Sequence, residues 1–460
     1  MDLEKRARRQ SLRVIISEII MVLAVAAMVA VLALVVSGYW LNADFKVERQ
    51  GMLQIYSIPT GASVEVDGDA PWFQRTNTSK ILSSGEHTIT LTKDGYDSWS
   101  KTVNISEGLL YRLHYPRLFL NEREKESIYD ATTTTFATIS PDRKLLLLAN
   151  NTTAWSLINL DNDTPKPTTL NIAKIFSATT LTTDAASGLF TGEVLSAEWD
   201  QASEHILFKV SVGASVEWVL LNVKNPSSSV NLTREFAADF SDIKIFDKSA
   251  GNLLAVRNGN LHKIDVYARQ ISAILIEGIQ NYDFYESELV YSSGDHVSII
   301  KLGGTPTTIK MIESPAKVLI SKFYETDYIF VIESATLIVY QKDNLKEVLT
   351  VTLDFVPEMV KVGYDGGFVI MNSGSAFATL DMESMLIRSW STGSNHFGWL
   401  NNYMIYSVNN SELVVYDFDG LNRRQLASNV SDRFPATITS DKWLYYFSDD
   451  QLTREWLIAR

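Results

Sequence analysis

The segment Trp399–Leu426, WLNNYMIYSVNNSELVVYDFDGLNRRQL, decides how the larger part of the chain is read. It reads as a strand, an Asn-Asn turn, a second strand, an Asp-Phe-Asp-Gly turn and the start of a third. Short apolar runs bounded by Asn, Asp and Gly mark antiparallel strands joined by tight turns. Working outward, the same alternation recurs back to Phe136, and after the N-terminal apolar run no long helical stripe interrupts it.

Turns that precede a strongly apolar strand fall at Pro141-Asp142, Trp199-Asp200, Phe246-Asp247, Tyr285-Glu286, Tyr324-Glu325, Tyr364-Asp365, Leu400-Asn401 and Ser440-Asp441. After the first interval they are spaced by about 36 to 47 residues, the period of a four-stranded propeller blade. The expected fold is therefore all-β, with an eight-bladed β-propeller over 127–460; seven blades with one irregular unit is the rival count. The last unit offers only three strands, Phe434–Thr439, Lys442–Phe447 and Glu455–Ala459. A fourth is expected from upstream, in Ser127–Thr135, which closes the ring and removes both exposed sheet edges. Asn171–Glu193 is the one substantial insertion between blades.

Two stretches, Ser140–Ala149 (SPDRKLLLLA) and Trp399–Leu426, resemble the TolB-type, WD-like β-propeller repeat, whose usual form is Ser-Pro-Asp-Gly-Lys, an apolar strand and an Asp-x-Asp-Gly turn. Arg143 stands where that repeat has its Gly. The resemblance implies architecture rather than an activity.

Upstream lies a smaller alternating region. Leu53 and Ile55, Val64 and Val66, Ile89 and Leu91, and Val103 and Ile105 each place two apolar residues on one face of a strand, which makes a minimal sandwich. Ser57–Gly68 (SIPTGASVEVDG), Leu82–His87 and Lys93–Trp99 resemble the PEGA domain, with Thr60 replacing the Glu of the name motif and Ala70–Thr76 lacking its usual Thr-Pro turn. In the motif, Pro59 fixes φ at the corner, Gly61 tolerates positive φ and Ala62 opens a strand where bulk would clash. Asp67-Gly68 makes the following turn. The resemblance implies a surface-exposed module of bacterial envelope proteins, without catalytic residues. Trp72 and Phe73 are expected as half-buried aromatics and Trp99 as core.

Ile19–Ser37, IIMVLAVAAMVAVLALVVS, carries no charge, and at about 1.5 Å per residue it extends roughly 28 Å, close to the hydrocarbon thickness of a bilayer. Lys5, Arg6, Arg8, Arg9 and Arg13 precede it, and Tyr39 and Trp40 follow as an interfacial pair, so the expected topology is a cytoplasmic N-terminus and an extracytoplasmic body. A cleaved signal peptide is the rival, but the apolar run exceeds the usual length for one. The expected organisation is a basic stub over 1–18, a single-pass anchor over 19–41, a linker over 42–50, the PEGA-like sandwich over 51–107, a connector over 108–126 and the propeller. Ala26 and Ala30 form a small-xxx-small pair.

The chain has 460 residues, no cysteine and a formal charge of −13. The stub holds five basic and three acidic residues, leaving 36 basic and 51 acidic in the body, a balance that disfavours nucleic acid and anionic lipid as partners. Without cysteine there are no disulfides and no thiolate metal sites. His87, His114, His205, His262, His296 and His396 are scattered without ligand spacing. Hydrolase and phosphate-loop signatures are absent. Asp417, Asp419 and Gly420, like Asp161-Asn162-Asp163, fit polar hairpins better than a calcium loop, which would need a closing Glu. Neither catalytic nor metal residues are assigned, and no cofactor is expected. Asn-x-Ser/Thr sequons are read as incidental.

These observations lead to a non-enzymatic, membrane-anchored cell-envelope protein that presents a propeller for binding protein or cell-wall polymer. The alternatives are a glycan-active propeller enzyme, lyase or glycosidase, that uses carboxylates across the central channel, and an architectural subunit of an envelope complex.

Overall fold

A computed structural model of the chain describes residues 18–33, 39–41, 47–70, 74–176, 189–212, 214–246, 250–363 and 365–458. It divides into two compact units, Met1–Asn121 and Glu122–Arg460.

In the first unit, residues 18–33 form a helix whose side chains are all exposed. No helix among the described residues is long and apolar enough to cross a membrane. The expected span runs on to Ser37, and 34–37 lie outside the described residues, as do Lys5, Arg6, Arg8, Arg9 and Arg13.

Two small sheets follow. One joins Tyr39–Leu41, Val47–Ile55, Thr78–Ser83 and Leu110–Leu113; the other joins Ser63–Val66, Gly85–Thr92 and Trp99–Ile105. The alternating pairs Leu53/Ile55, Val64/Val66, Ile89/Leu91 and Val103/Ile105 are buried together with Trp99. Thr78–Ser83 and Leu110–Leu113 are strands that alternation did not single out, because the first has few apolar residues and the second is only four residues long. Leu110–Leu113 runs parallel to Met52–Ile55, which carries the sandwich past 107 into the span expected as connector. Gly51 permits the crossing: a Cβ there would lie 2.4 Å from the Ile105 side chain and 2.5 Å from the Ser106 carbonyl oxygen. Trp72 and Phe73 lie outside the described residues.

The second unit contains, among the described residues, eight four-stranded antiparallel sheets. Their first strands are Thr134–Ile139, Glu193–Trp199, Asp242–Ile245, Ile279–Tyr285, Ala316–Phe323, Met359–Val362, Phe397–Trp399 and Thr437–Thr439, here numbered blades 1 to 8. Blades 1 to 7 are simple meanders. Blade 8 takes its fourth strand from the start of the unit, where Lys125–Asp130 pairs with Gln451–Trp456. Arg454 fixes this seam: its guanidinium bonds Glu126 at 2.8 Å and lies 4.0 Å from the Trp443 ring centroid. The order and closure of the sheets are those of a β-propeller-like body.

Among the described residues, the turns that marked blades in the sequence lie at or just after the end of a first strand; Asp247 and Tyr364 lie outside the described residues. Several such turns place a side-chain-bearing residue at positive φ, among them Arg143 (+60°), Glu286 (+54°), Tyr324 (+51°) and Asp441 (+57°).

Neighbouring blades share apolar cores. Trp155, fully buried, meets Phe176, Phe190 and Phe208 at ring separations of 5.7, 5.3 and 5.5 Å between blades 1 and 2. Phe176 and Phe190 lie within the Asn171–Glu193 insertion, on either side of 177–188, which lie outside the described residues, and both join this core. Between blades 6 and 7, Phe368 stacks on Phe418 at 4.3 Å.

Candidate functional site

The penultimate residue of several first strands sits at the same place in the wall around the propeller's centre: Thr138, Glu198, Lys244, Lys361 and Gly398 in blades 1, 2, 3, 6 and 7. What each meets on the next blade decides whether its polarity is used up or left available.

From blade 3 to blade 6 it is used up. Lys244 Nζ donates to the Tyr282 carbonyl at 2.8 Å and lies 4.3 Å from that ring's centroid, while the Tyr282 hydroxyl donates to Asp242 at 3.1 Å. Asn281 and Asp283 on blade 4 accept the backbone N–H groups of Val318 and Ile320 on blade 5, at 2.9 and 3.0 Å. Lys317 in turn donates to the Glu358 carbonyl at the entry to blade 6. Each blade thus hands a side chain to the next, and hydrogen bonds replace the water lost on closing the wall. Enclosure pushes the Asp283 carboxyl up, opposed by the Ile320 N–H and Lys244, and pushes the Tyr282 phenol well above its ordinary range. A smaller cavity of about 280 Å³ lies along this stretch.

From blade 6 through blade 8 and back to blade 2 the pattern opens. A cavity of about 770 Å³ is lined by the ends of the first strands of blades 1, 2, 6 and 7 and by the turns after them. This volume falls within the range of small-molecule sites. Lys361 reaches it from blade 6. Blade 7 offers Gly398 and the Trp399 ring, whose centroid lies 5.6 Å from Nζ, and among the described residues no acceptor stands within hydrogen-bond distance of that nitrogen. The absence of a side chain at 398 is required: a Cβ there would lie 2.8 Å from the Tyr406 ring.

Arg143 enters from the turn after the first strand of blade 1. Its Nη1 donates to the carbonyls of Trp399 and Leu400 at 3.2 and 3.4 Å, whereas its buried Nε has no partner. Burial lowers Arg143 to about 10, partly offset by Tyr406, so it remains charged at neutral pH. Lys361 is exposed to the cavity, and partial desolvation by the surrounding wall, followed by the positive charge of Arg143, lowers it from the ordinary lysine range. Two cations therefore share one cavity. Trp199, Phe397, Trp399 and Tyr406 supply aromatic surface, and Asn401 and Asn402 supply amides.

Glu198 also borders the cavity. Its enclosure pushes the carboxyl up to about 7, against the Ile245 backbone and Lys244, and Asp242 adds to the rise. It remains reachable by water from the channel.

Residues expected from sequence to carry motifs are structural. Thr60 offers its carbonyl to Lys93 Nζ at 3.0 Å; Gly61 takes φ +77°, Ala62 is fully buried, and Asp67 and Gly68 turn at φ +53° and +85°. Asp67, His87 and Ser83 superficially form an acid-base-nucleophile line, with His87 Nδ1 2.6 Å from Asp67 and Nε2 3.3 Å from the Ser83 hydroxyl. However, Nε2 lies nearer the Ser83 carbonyl, at 2.9 Å, than the hydroxyl, so the ring is tethered to the Ser83 backbone rather than aimed at a nucleophile. The hydrogen bond from His87 is the largest cause that holds the Asp67 carboxyl below its usual range. Asp200 holds His205 at 2.8 Å and caps the backbone of Glu204 and His205. Asp417 accepts from Asn422 at 2.8 Å, and Asp419 from the Leu421 N–H at 3.1 Å. Among the described residues no group of three or more His, Asp and Glu side chains is placed to hold a metal.

No curated protein matches the chain. Among solved structures, the dihydro-heme d1 dehydrogenase NirN is similar at 12% identity and a TM-score of 0.42, over 63% of this chain and 65% of that one, so the match spans less than two thirds of the dehydrogenase. Hsv2 from Kluyveromyces lactis is similar at 13% identity and a TM-score of 0.41, over 64% of this chain and 98% of that one. The computationally designed Ika8 protein is similar at 10% identity and a TM-score of 0.42, over 72% and 98%. Residues 50–116 match the family description of the PEGA domain, so the chain carries a PEGA domain followed by a β-propeller-like body.

Proposed function

We propose that the chain is a membrane-anchored binding protein of the cell envelope, which takes protein or cell-wall polymer at the open side of its propeller channel. The observation that carries this reading is the cavity of about 770 Å³ in which Lys361 is exposed and meets no acceptor on the neighbouring blade among the described residues. The helix over 18–33 supports the anchor, since its apolar side chains are all exposed and such a surface calls for a lipid or protein cover. The PEGA domain supports an envelope location by its resemblance. The test is twofold. Protease added to intact cells should remove the C-terminal portion, and full-length protein should retain envelope material that a span-only control does not. A C-terminal portion protected until lysis overturns the topology; retention no better than the control overturns the binding role.

Glu198 favours a second reading, a glycan-active enzyme, because a carboxyl poised at about 7 near Asp242 has the character of a general acid. Turnover of a glycan that is lost in Glu198→Gln would establish it; binding without turnover would set it aside.

A further inference from the structure

The cavity's two cations differ in how far they are committed. Arg143 is held by blade 7 carbonyls, which fix its guanidinium while leaving Nε without a partner. Lys361 has only a ring face beside it. Carbonyls fasten Lys244 and Lys317 elsewhere in this channel, whereas Lys361 is exposed and its ammonium is held by water alone among the described residues. That water is exchangeable, so the charge is open to an anion.

The surroundings restrict the ligand. Trp199, Phe397 and Trp399 add aromatic surface, and Asn401 and Asn402, whose oxygens accept from the Tyr403 N–H and from Arg143, add amide donors, a combination suited to the mixed CH and hydroxyl surface of a sugar ring. The body as a whole is acidic, with a chain charge of −13, so a dense polyanion is repelled on approach while an isolated carboxylate is accepted locally.

We infer that Lys361 and Arg143 form a carboxylate-binding subsite for an acidic saccharide of the uronic-acid class, with the sugar ring against the Trp399 side of the cavity. This rests on the binding role proposed above and names its ligand.

The experiment titrates full-length protein in detergent with trigalacturonate, with the neutral cellotriose and with inorganic phosphate, and reads the heat of binding and the tryptophan fluorescence. Trigalacturonate should bind at least tenfold more tightly than cellotriose. Lys361→Met should weaken trigalacturonate about tenfold with cellotriose unchanged, and Lys361→Arg should restore most of the loss. A matching thermal transition in each variant shows that the fold is kept. Equal affinity for the charged and neutral sugars, or an unchanged Lys361→Met protein, overturns the inference while leaving a cavity that binds sugar. Phosphate that displaces trigalacturonate at comparable concentration overturns the saccharide assignment in favour of a general oxyanion site. If no sugar binds but envelope material is still retained, the subsite falls and the binding role stands; if retention is lost as well, both fall.

Discussion

Lys244 and Lys361 hold the same position on blades three apart, yet one is a fastener and the other is not. Lys244 finds a carbonyl at 2.8 Å on the next blade, and Lys361 finds an aromatic face and a glycine. The difference lies in the neighbour rather than in the lysine. A charged side chain in a propeller wall is structural when the following blade supplies its partner, and becomes available for recognition when that blade withholds one. The wall from blade 3 to blade 6 and the wall from blade 6 to blade 2 therefore differ in what their polar groups are for.

The largest test of this contrast is Asp283→Ala on the fastened side. It removes a carboxylate that accepts the Ile320 N–H and leaves that donor unpaired within the wall, so the urea midpoint of the full chain should fall by the equivalent of about 2 to 3 kcal/mol. Lys361→Met on the open side should move the same midpoint by no more than about 0.5 kcal/mol. A comparable loss from both variants would erase the distinction between the two halves.

Acidity sharpens the contrast. Desolvation by the channel wall pushes the Glu198 carboxyl up to about 7, whereas an unfolded glutamate titrates near about 4.3. Between those values the native state keeps a proton that the unfolded state has released, so this residue makes stability fall as pH rises from about 4.5 towards 7. Glu198→Gln should flatten that slope in melting temperatures recorded from pH 4.5 to 7.5. A slope unchanged by the substitution would place the responsible group elsewhere.

The smallest effect is expected outside the wall. Lys144 and Asp161 pair at 3.3 Å with side chains 50% and 34% exposed, and Lys144→Ala should change stability by less than about 1 kcal/mol, reduced further in salt.

Much of the blade architecture was legible in the sequence, because each first strand ends in a polar turn and the next strand is apolar throughout. The closing strand was harder to place. Lys125–Asp130 reads KESIYD, with mostly exposed side chains, so it begins two residues before the expected Ser127 and carries almost no alternation. Thr78–Ser83 in the PEGA domain escaped notice because TSKILS carries no apolar alternation, although half-buried and exposed positions alternate along it in the fold. The cavity was less legible still. Arg143 stood out only as a departure from glycine, and Glu198 and Lys361 read as ordinary charges on strands. A usable signal did exist: a charged residue just before the turn that ends a first strand lies on the channel wall. Whether its partner exists depends on the facing residue of the next blade, such as Gly398, which no local pattern connects to it.

The seam at blade 8 sets an order of events. Lys125–Asp130 leaves the ribosome more than 300 residues ahead of Gln451–Trp456, the strand it joins. Throughout that interval the early segment has no mate, and the ring is an open crescent with a bare rim at each end. Contacts so distant along the chain close slowly, because loop entropy is lost before any pairing is gained. The charges and hydroxyls of KESIYD, which made the segment hard to recognise as a strand, also make it a poor template for stray pairing while it waits.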